Sequence, residues 1–84
     1  MIIRVTEVLI RRPYKVHLRF NDGVEKTVDL RDLLRGPVFE PLKEATYFVQ
    51  GSLDPVCGTI VWPNGADIAP ETLYELESVD EAAT

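Results

Sequence analysis

The stretch Tyr14-Lys15-Val16-His17-Leu18-Arg19-Phe20-Asn21-Asp22-Gly23-Val24-Glu25-Lys26-Thr27-Val28-Asp29 decides the fold. Its first seven residues alternate strictly, with Tyr14, Val16, Leu18 and Phe20 on one face, which is the period-two pattern of a half-buried strand. Asn21-Asp22-Gly23 then suits a three-residue hairpin loop whose last position is left-handed and so takes glycine. That loop length sets a register. Phe20 opposes Val24 and Val16 opposes Val28 on the inner face, while Arg19 opposes Glu25 and Lys15 approaches Asp29 on the outer one. A two-residue Asp-Gly loop would instead put Arg19 opposite Lys26, like charge against like charge.

Toward the N-terminus, residues 2–10 are rich in Ile, Val and Leu and predict another strand. Its alternation slips around Thr6-Glu7, where a β-bulge is expected, and Pro13 separates it from the hairpin. Toward the C-terminus, Asp29 is placed to cap a short helix over Leu30–Arg35, with Leu30, Leu33 and Leu34 on one face and Gly36-Pro37 as its stop. Phe39-Glu40-Pro41-Leu42 predicts one further turn that inserts Phe39 and Leu42 into the core. Residues 46–53 and 58–62 read as a second hairpin, joined by Asp54-Pro55-Val56-Cys57. After the turn Trp62-Pro63-Asn64-Gly65, a final helix should begin at Pro70, with Glu71 near its positive end and Leu73, Tyr74 and Leu76 on its apolar face. The expected fold is therefore α+β: one antiparallel sheet made of an N-terminal strand and two hairpins, a short helix between the hairpins, and a short helix at the C-terminus. Residues 1–76 form the expected single domain, and residues 77–84 an acidic, frayed tail.

Composition bounds the chemistry. With 84 residues there is room for one domain, and burial on folding reaches only roughly 60–65% of the unfolded surface, so net stability should be small. Cys57 and His17 are single representatives of their types, too few for a disulfide or a four-ligand zinc site, and no cofactor or metal is expected. No apolar run approaches the roughly 20 residues that span a bilayer, and no signal-peptide pattern precedes the first strand, so a cytoplasmic location is expected. The net charge of −5 disfavours a dedicated binder of nucleic acid or anionic membrane. It is unevenly distributed: residues 1–43 hold nine bases and six acids, a balance of +3, and residues 44–84 hold eight acids and no base. Such polarity can steer a partner or orient self-association, and it also arises from two differently solvated surfaces.

The run Gly58-Thr59-Ile60-Val61-Trp62-Pro63-Asn64-Gly65-Ala66-Asp67-Ile68-Ala69-Pro70-Glu71-Thr72-Leu73-Tyr74 resembles the signature of a small prokaryotic family known as domain of unknown function 2442. Phe20-Asn21-Asp22-Gly23, Val28-Asp29-Leu30 and Val38-Phe39-Glu40-Pro41-Leu42 follow the same resemblance in the expected order, up to about Leu76. The resemblance implies a compact bacterial α+β domain with no assigned activity, and no catalytic residue is carried over. Some relatives continue into a helix-turn-helix region, for which these 84 residues are expected to be too short. The family also resembles one half of a two-gene, toxin–antitoxin-like arrangement, which implies a small protein partner.

Three constellations are candidates for function. Trp62, Asn64 and Asp67 gather an aromatic ring and two short polar side chains at a rigid turn, the ingredients of a partner-binding corner; the same residue types also serve simply to hold such a turn. Arg11, Arg12, Lys15 and Arg19, joined by Arg4, can form a basic stripe for phosphate contacts, though Tyr14 and Phe20 point to the opposite face and offer no stacking platform there. Asp29, Asp54, Asp67 and Glu71 match no metal-loop spacing and read as caps and turn stabilisers, and His17 and Cys57 lie too far apart in the sequence pattern to suggest a dyad. The expected function is a non-catalytic interaction or regulatory module that binds a small protein partner. The alternative is a nucleic-acid adaptor using the basic first hairpin. A homodimer through a sheet edge, that of the second hairpin, is also open.

Overall fold

The strands of the opening hairpin pair as the alternation requires. A computed structural model describes residues 2–79, in which β2 (Lys15–Phe20) and β3 (Glu25–Asp29) are antiparallel with Val16 opposite Val28 and Arg19 opposite Glu25. Phe20 N–H donates to the Val24 carbonyl at 2.8 Å, and Gly23 adopts φ +92°, the left-handed geometry that closes the loop. β1 (Val5–Arg12) lies on the other side of β2, and its register slips between Val5 and Glu7, where the bulge was expected, and again between Ile10 and Arg12.

The turn from β1 to β2 departs from the sequence reading. Tyr14 does not open the strand; it sits in the turn at φ +78°, after Pro13, the sign combination of a type II turn that glycine usually fills. The ring holds it there: it meets Phe48 edge-on at 5.3 Å between centroids, its hydroxyl donates to the Lys43 carbonyl, and the Arg31 guanidinium lies 5.3 Å from its centroid.

Beyond β3 the helix expected over Leu30–Arg35 is reduced to a 3₁₀ turn, Arg31–Leu33. Asp29 still terminates the strand by accepting from Arg31 N–H at 2.9 Å, and Leu30 and Leu34 are buried. Gly36, at φ +89°, ends this segment. A second 3₁₀ turn, Glu40–Lys43, buries Leu42 as expected.

Residues 46–49 are a correction. Their aromatic and β-branched content reads as strand, yet the chain forms a helical turn, α1 (Ala45–Phe48). Coiling drives Phe48 fully into the core and leaves Val49 half exposed, and packing of Phe48 against Tyr14 and Trp62 overrides local propensity. The second hairpin shrinks accordingly to β4 (Ser52–Asp54) and β5 (Thr59–Val61).

The α+β class with antiparallel strands stands, but the strands divide into a three-stranded and a two-stranded sheet instead of one. Among the described residues, the backbone link between β1 and the second hairpin is Val5 N–H to the Gly58 carbonyl at 2.8 Å. No ladder propagates from this bond, and the strands stay in two separate sheets. α2 (Pro70–Glu75) begins at Pro70 and buries Leu73 against the shared core of Val16, Leu18, Phe20, Ile60 and Trp62. Its C-terminal end is held by Lys26, whose ammonium donates to the carbonyls of Tyr74 and Leu76 at 2.5 and 2.7 Å. Of the acidic tail, residues 77–79 are described and Val79 N–H donates to the Thr27 carbonyl at 2.8 Å; residues 80–84 lie outside the described residues. Among the described residues no helix is long and apolar enough to cross a membrane.

Candidate functional site

The polar side chains singled out in the sequence are largely consumed by the fold. Trp62 is buried, and its indole N–H donates to the Phe48 carbonyl at 2.8 Å, so the ring is not on the surface that Asn64 and Asp67 share. Asn64 is exposed but spends both ends of its amide, donating to the Val38 carbonyl at 2.9 Å and accepting from Ala66 N–H at 3.1 Å. Asp67 is exposed and its backbone bridges Val61, so the chain folds back beside the end of β5.

The basic stripe is also redistributed. Lys15 is buried, and Arg19 is paired with Glu25 at 3.2 Å. Arg4 reaches across to the second hairpin, donating to the carbonyls of Pro55 and Val56. Its guanidinium lies so close to Gly58 that a Cβ there would stand 2.9 Å from Cζ, which explains a glycine at a left-handed φ of +69°. Arg11 and Arg12 are exposed at the end of β1.

Titratable groups follow the same pattern. His17 meets Thr27 Oγ1 at 3.0 Å through Nδ1 and Glu25 Oε1 at 3.1 Å through Nε2. The bond from His17, and then the charge of Arg19, hold the Glu25 carboxyl below its ordinary value. Asp54 closes its own turn by accepting from Val56 and Cys57 N–H, and those bonds hold its carboxyl low. Asp54 in turn pushes the Cys57 thiol up, the direction opposite to an activated nucleophile. Among the described residues no three His, Cys, Asp or Glu side chains converge as a metal cage, and no buried polar side-chain atom lacks a partner.

What the fold leaves unspent is backbone. Phe20 directs its N–H at β3, so by strand alternation Arg19 and His17 direct theirs at β1. Leu9, opposite His17, therefore faces β2, and Val8 and Ile10 turn N–H and C=O to the far side of β1. The same parity turns Thr27 outward on β3, where it meets Val79. On β1, among the described residues, no backbone hydrogen bond leaves that side after Val5. The open stretch is bounded by the two bulges and carries Glu7, Leu9 and Arg11 on its exposed face. The sequence reading passed over Glu7 and Leu9; the available signals were the slip at Thr6-Glu7 and a leucine placed on the outer side of an alternating strand.

A family model described as "Protein of unknown function (DUF2442)" matches residues 5–78. The chain belongs to the DUF2442 family. The match takes in both sheets and α2 of this DUF2442 domain, so the whole constellation just described lies inside it. No curated protein and no solved structure matches the chain.

Proposed function

We propose that this DUF2442 chain is a non-catalytic interaction module of the bacterial cytoplasm that takes a small protein partner along the open edge of β1. The observation that carries the reading is the outward pair Val8 and Ile10, whose N–H and C=O groups meet no backbone partner among the described residues. A bare strand edge is a template for an added strand: main-chain bonds supply affinity, and flanking side chains supply selectivity. Glu7, Leu9 and Arg11 are those flanking side chains. The commitment of Asp29, Asp54, Asn64 and Trp62 to backbone groups supports a role in shape rather than in chemistry. A toxin–antitoxin-like pairing is the arrangement that the family resemblance adds to this reading.

Wild-type and Leu9→Lys chains serve as matched baits in lysate with and without nuclease treatment, with captured polypeptides identified by mass spectrometry. A polypeptide held stoichiometrically by wild type and lost with Leu9→Lys is the expected result. Capture that disappears on nuclease treatment and depends on Arg11 and Arg12 would replace this reading with the nucleic-acid adaptor.

A further inference from the structure

From the register of β1 we infer that the free chain forms a two-fold homodimer in which β1 pairs antiparallel with β1 of a second copy, centred on Leu9. The inference rests on β1 as the docking edge and names an occupant for it.

A two-fold strand pair must bring outward backbone groups against outward groups, which restricts the centre to Val8, Leu9 or Ile10. Centring on Val8 sets Leu9 opposite Glu7, and centring on Ile10 sets it opposite Arg11, in each case a hydrocarbon against a charge. Centring on Leu9 removes both mismatches. Val8 of each copy then opposes Ile10 of the other, and each such pair exchanges both its N–H and C=O groups, which makes four hydrogen bonds across the axis. Glu7 of each copy falls opposite Arg11 of the other, on the same face as Leu9, so two acid–base pairs flank the axis. Leu9, 43% exposed in the single chain, meets its own equivalent in a closely spaced pair at the centre. The bulges at both ends of the stretch limit the pairing to this short segment, so closure stops at two copies rather than propagating as a fibre. The result is a six-stranded sheet with β3 at each outer edge.

The charge pattern gives the test. Glu7→Arg alone places arginine opposite Arg11 twice, Arg11→Glu alone places glutamate opposite Glu7 twice, and the double variant Glu7→Arg/Arg11→Glu restores two opposite pairs with the charges exchanged. Sedimentation velocity across a concentration series is expected to show wild type and the double variant at twice the 9.5 kDa chain mass. Each single variant should dissociate with a constant raised by about tenfold or more. Circular dichroism and urea midpoints of all four proteins confirm that each is folded. A wild type that stays at one chain mass, or a dimer indifferent to the single substitutions, overturns the inference. If it falls while Leu9-dependent capture of another polypeptide persists, the second copy is excluded and β1 remains the docking edge.

Discussion

Gly51 lies against the Trp62 indole so closely that a Cβ would stand 2.8 Å from Nε1 and 2.9 Å from Cε2. The indole cannot retreat, because it is buried and bonded to the Phe48 carbonyl. Gly51→Ala should therefore destabilise the domain by about 1–3 kcal/mol, read as a lower urea midpoint, and the cost should shrink in a Trp62→Phe background where the colliding atoms are gone. A second pair at this scale responds to pH. Tyr74 donates its hydroxyl to Asp22 Oδ2 at 2.5 Å, which holds the Asp22 carboxyl below 3.8 and the Tyr74 phenol above 10.0. The lowered carboxyl adds stability that is present above pH 3.8 and fades as pH falls through its folded value. The raised phenol adds stability that is present below pH 10.0 and fades as pH rises through its folded value. Tyr74→Phe should flatten only part of each limb of a urea-midpoint profile, since Glu25 and Asp54 are held low, and Cys57 is pushed up, independently of it. Gly23 was legible at this scale because a left-handed loop position demands glycine, whereas Asp29, read as the cap of a helix, accepts from Arg31 N–H ahead of a 3₁₀ turn whose N-cap is Leu30. Gly51 was not, because the atom that forbids its Cβ comes from a distant part of the chain.

Each element carries a different mixture of local and distant causes. β2 and β3 follow from the alternation of Val16, Leu18 and Phe20 and from one short loop, so their register could be read residue by residue. α1 could not be read in this way. Thr46, Tyr47 and Val49 favour a strand locally, and the helical turn exists because Phe48 fills the space between Tyr14 and Trp62. The β1–β2 turn is similar, with the Tyr14 ring anchored in the core and the backbone taking φ +78° to keep it there. Tyr14→Gly should relax that backbone yet lower stability by about 1–2 kcal/mol, because the packing lost exceeds the conformational gain. An unchanged or raised urea midpoint would show that the ring contributes less than the turn costs. The end of α2 depends on Lys26 in the same distant way. Lys26→Met leaves the Tyr74 and Leu76 carbonyls without their charged donor and should cost about 1–3 kcal/mol, with amide exchange accelerating in α2 before the strands.

At the scale of the whole molecule, two small sheets and α2 enclose one core, and among the described residues the bond from Val5 N–H to the Gly58 carbonyl links β1 to the second hairpin. The α+β class was legible because hairpin loops and helix starts are written locally. The division into two sheets was not, since it depends on how distant segments meet, with Val5 N–H bonded to the Gly58 carbonyl and no ladder following. The candidate site shows the same contrast. Trp62, Asn64, Lys15 and Arg19 were conspicuous as residue types, and the fold employs them internally. The β1 edge is defined by which way Val8 and Ile10 turn their backbone, a property of pairing parity that composition does not reveal. Amide hydrogen exchange of the free wild type against Leu9→Lys tests pairing at that edge most directly. Slow exchange is expected at Val8 and Ile10 in wild type and fast exchange in Leu9→Lys, with the Leu9-position amide, bonded to β2, slow in both. Equal exchange at Val8 and Ile10 in the two proteins would contradict pairing of β1 with a second copy.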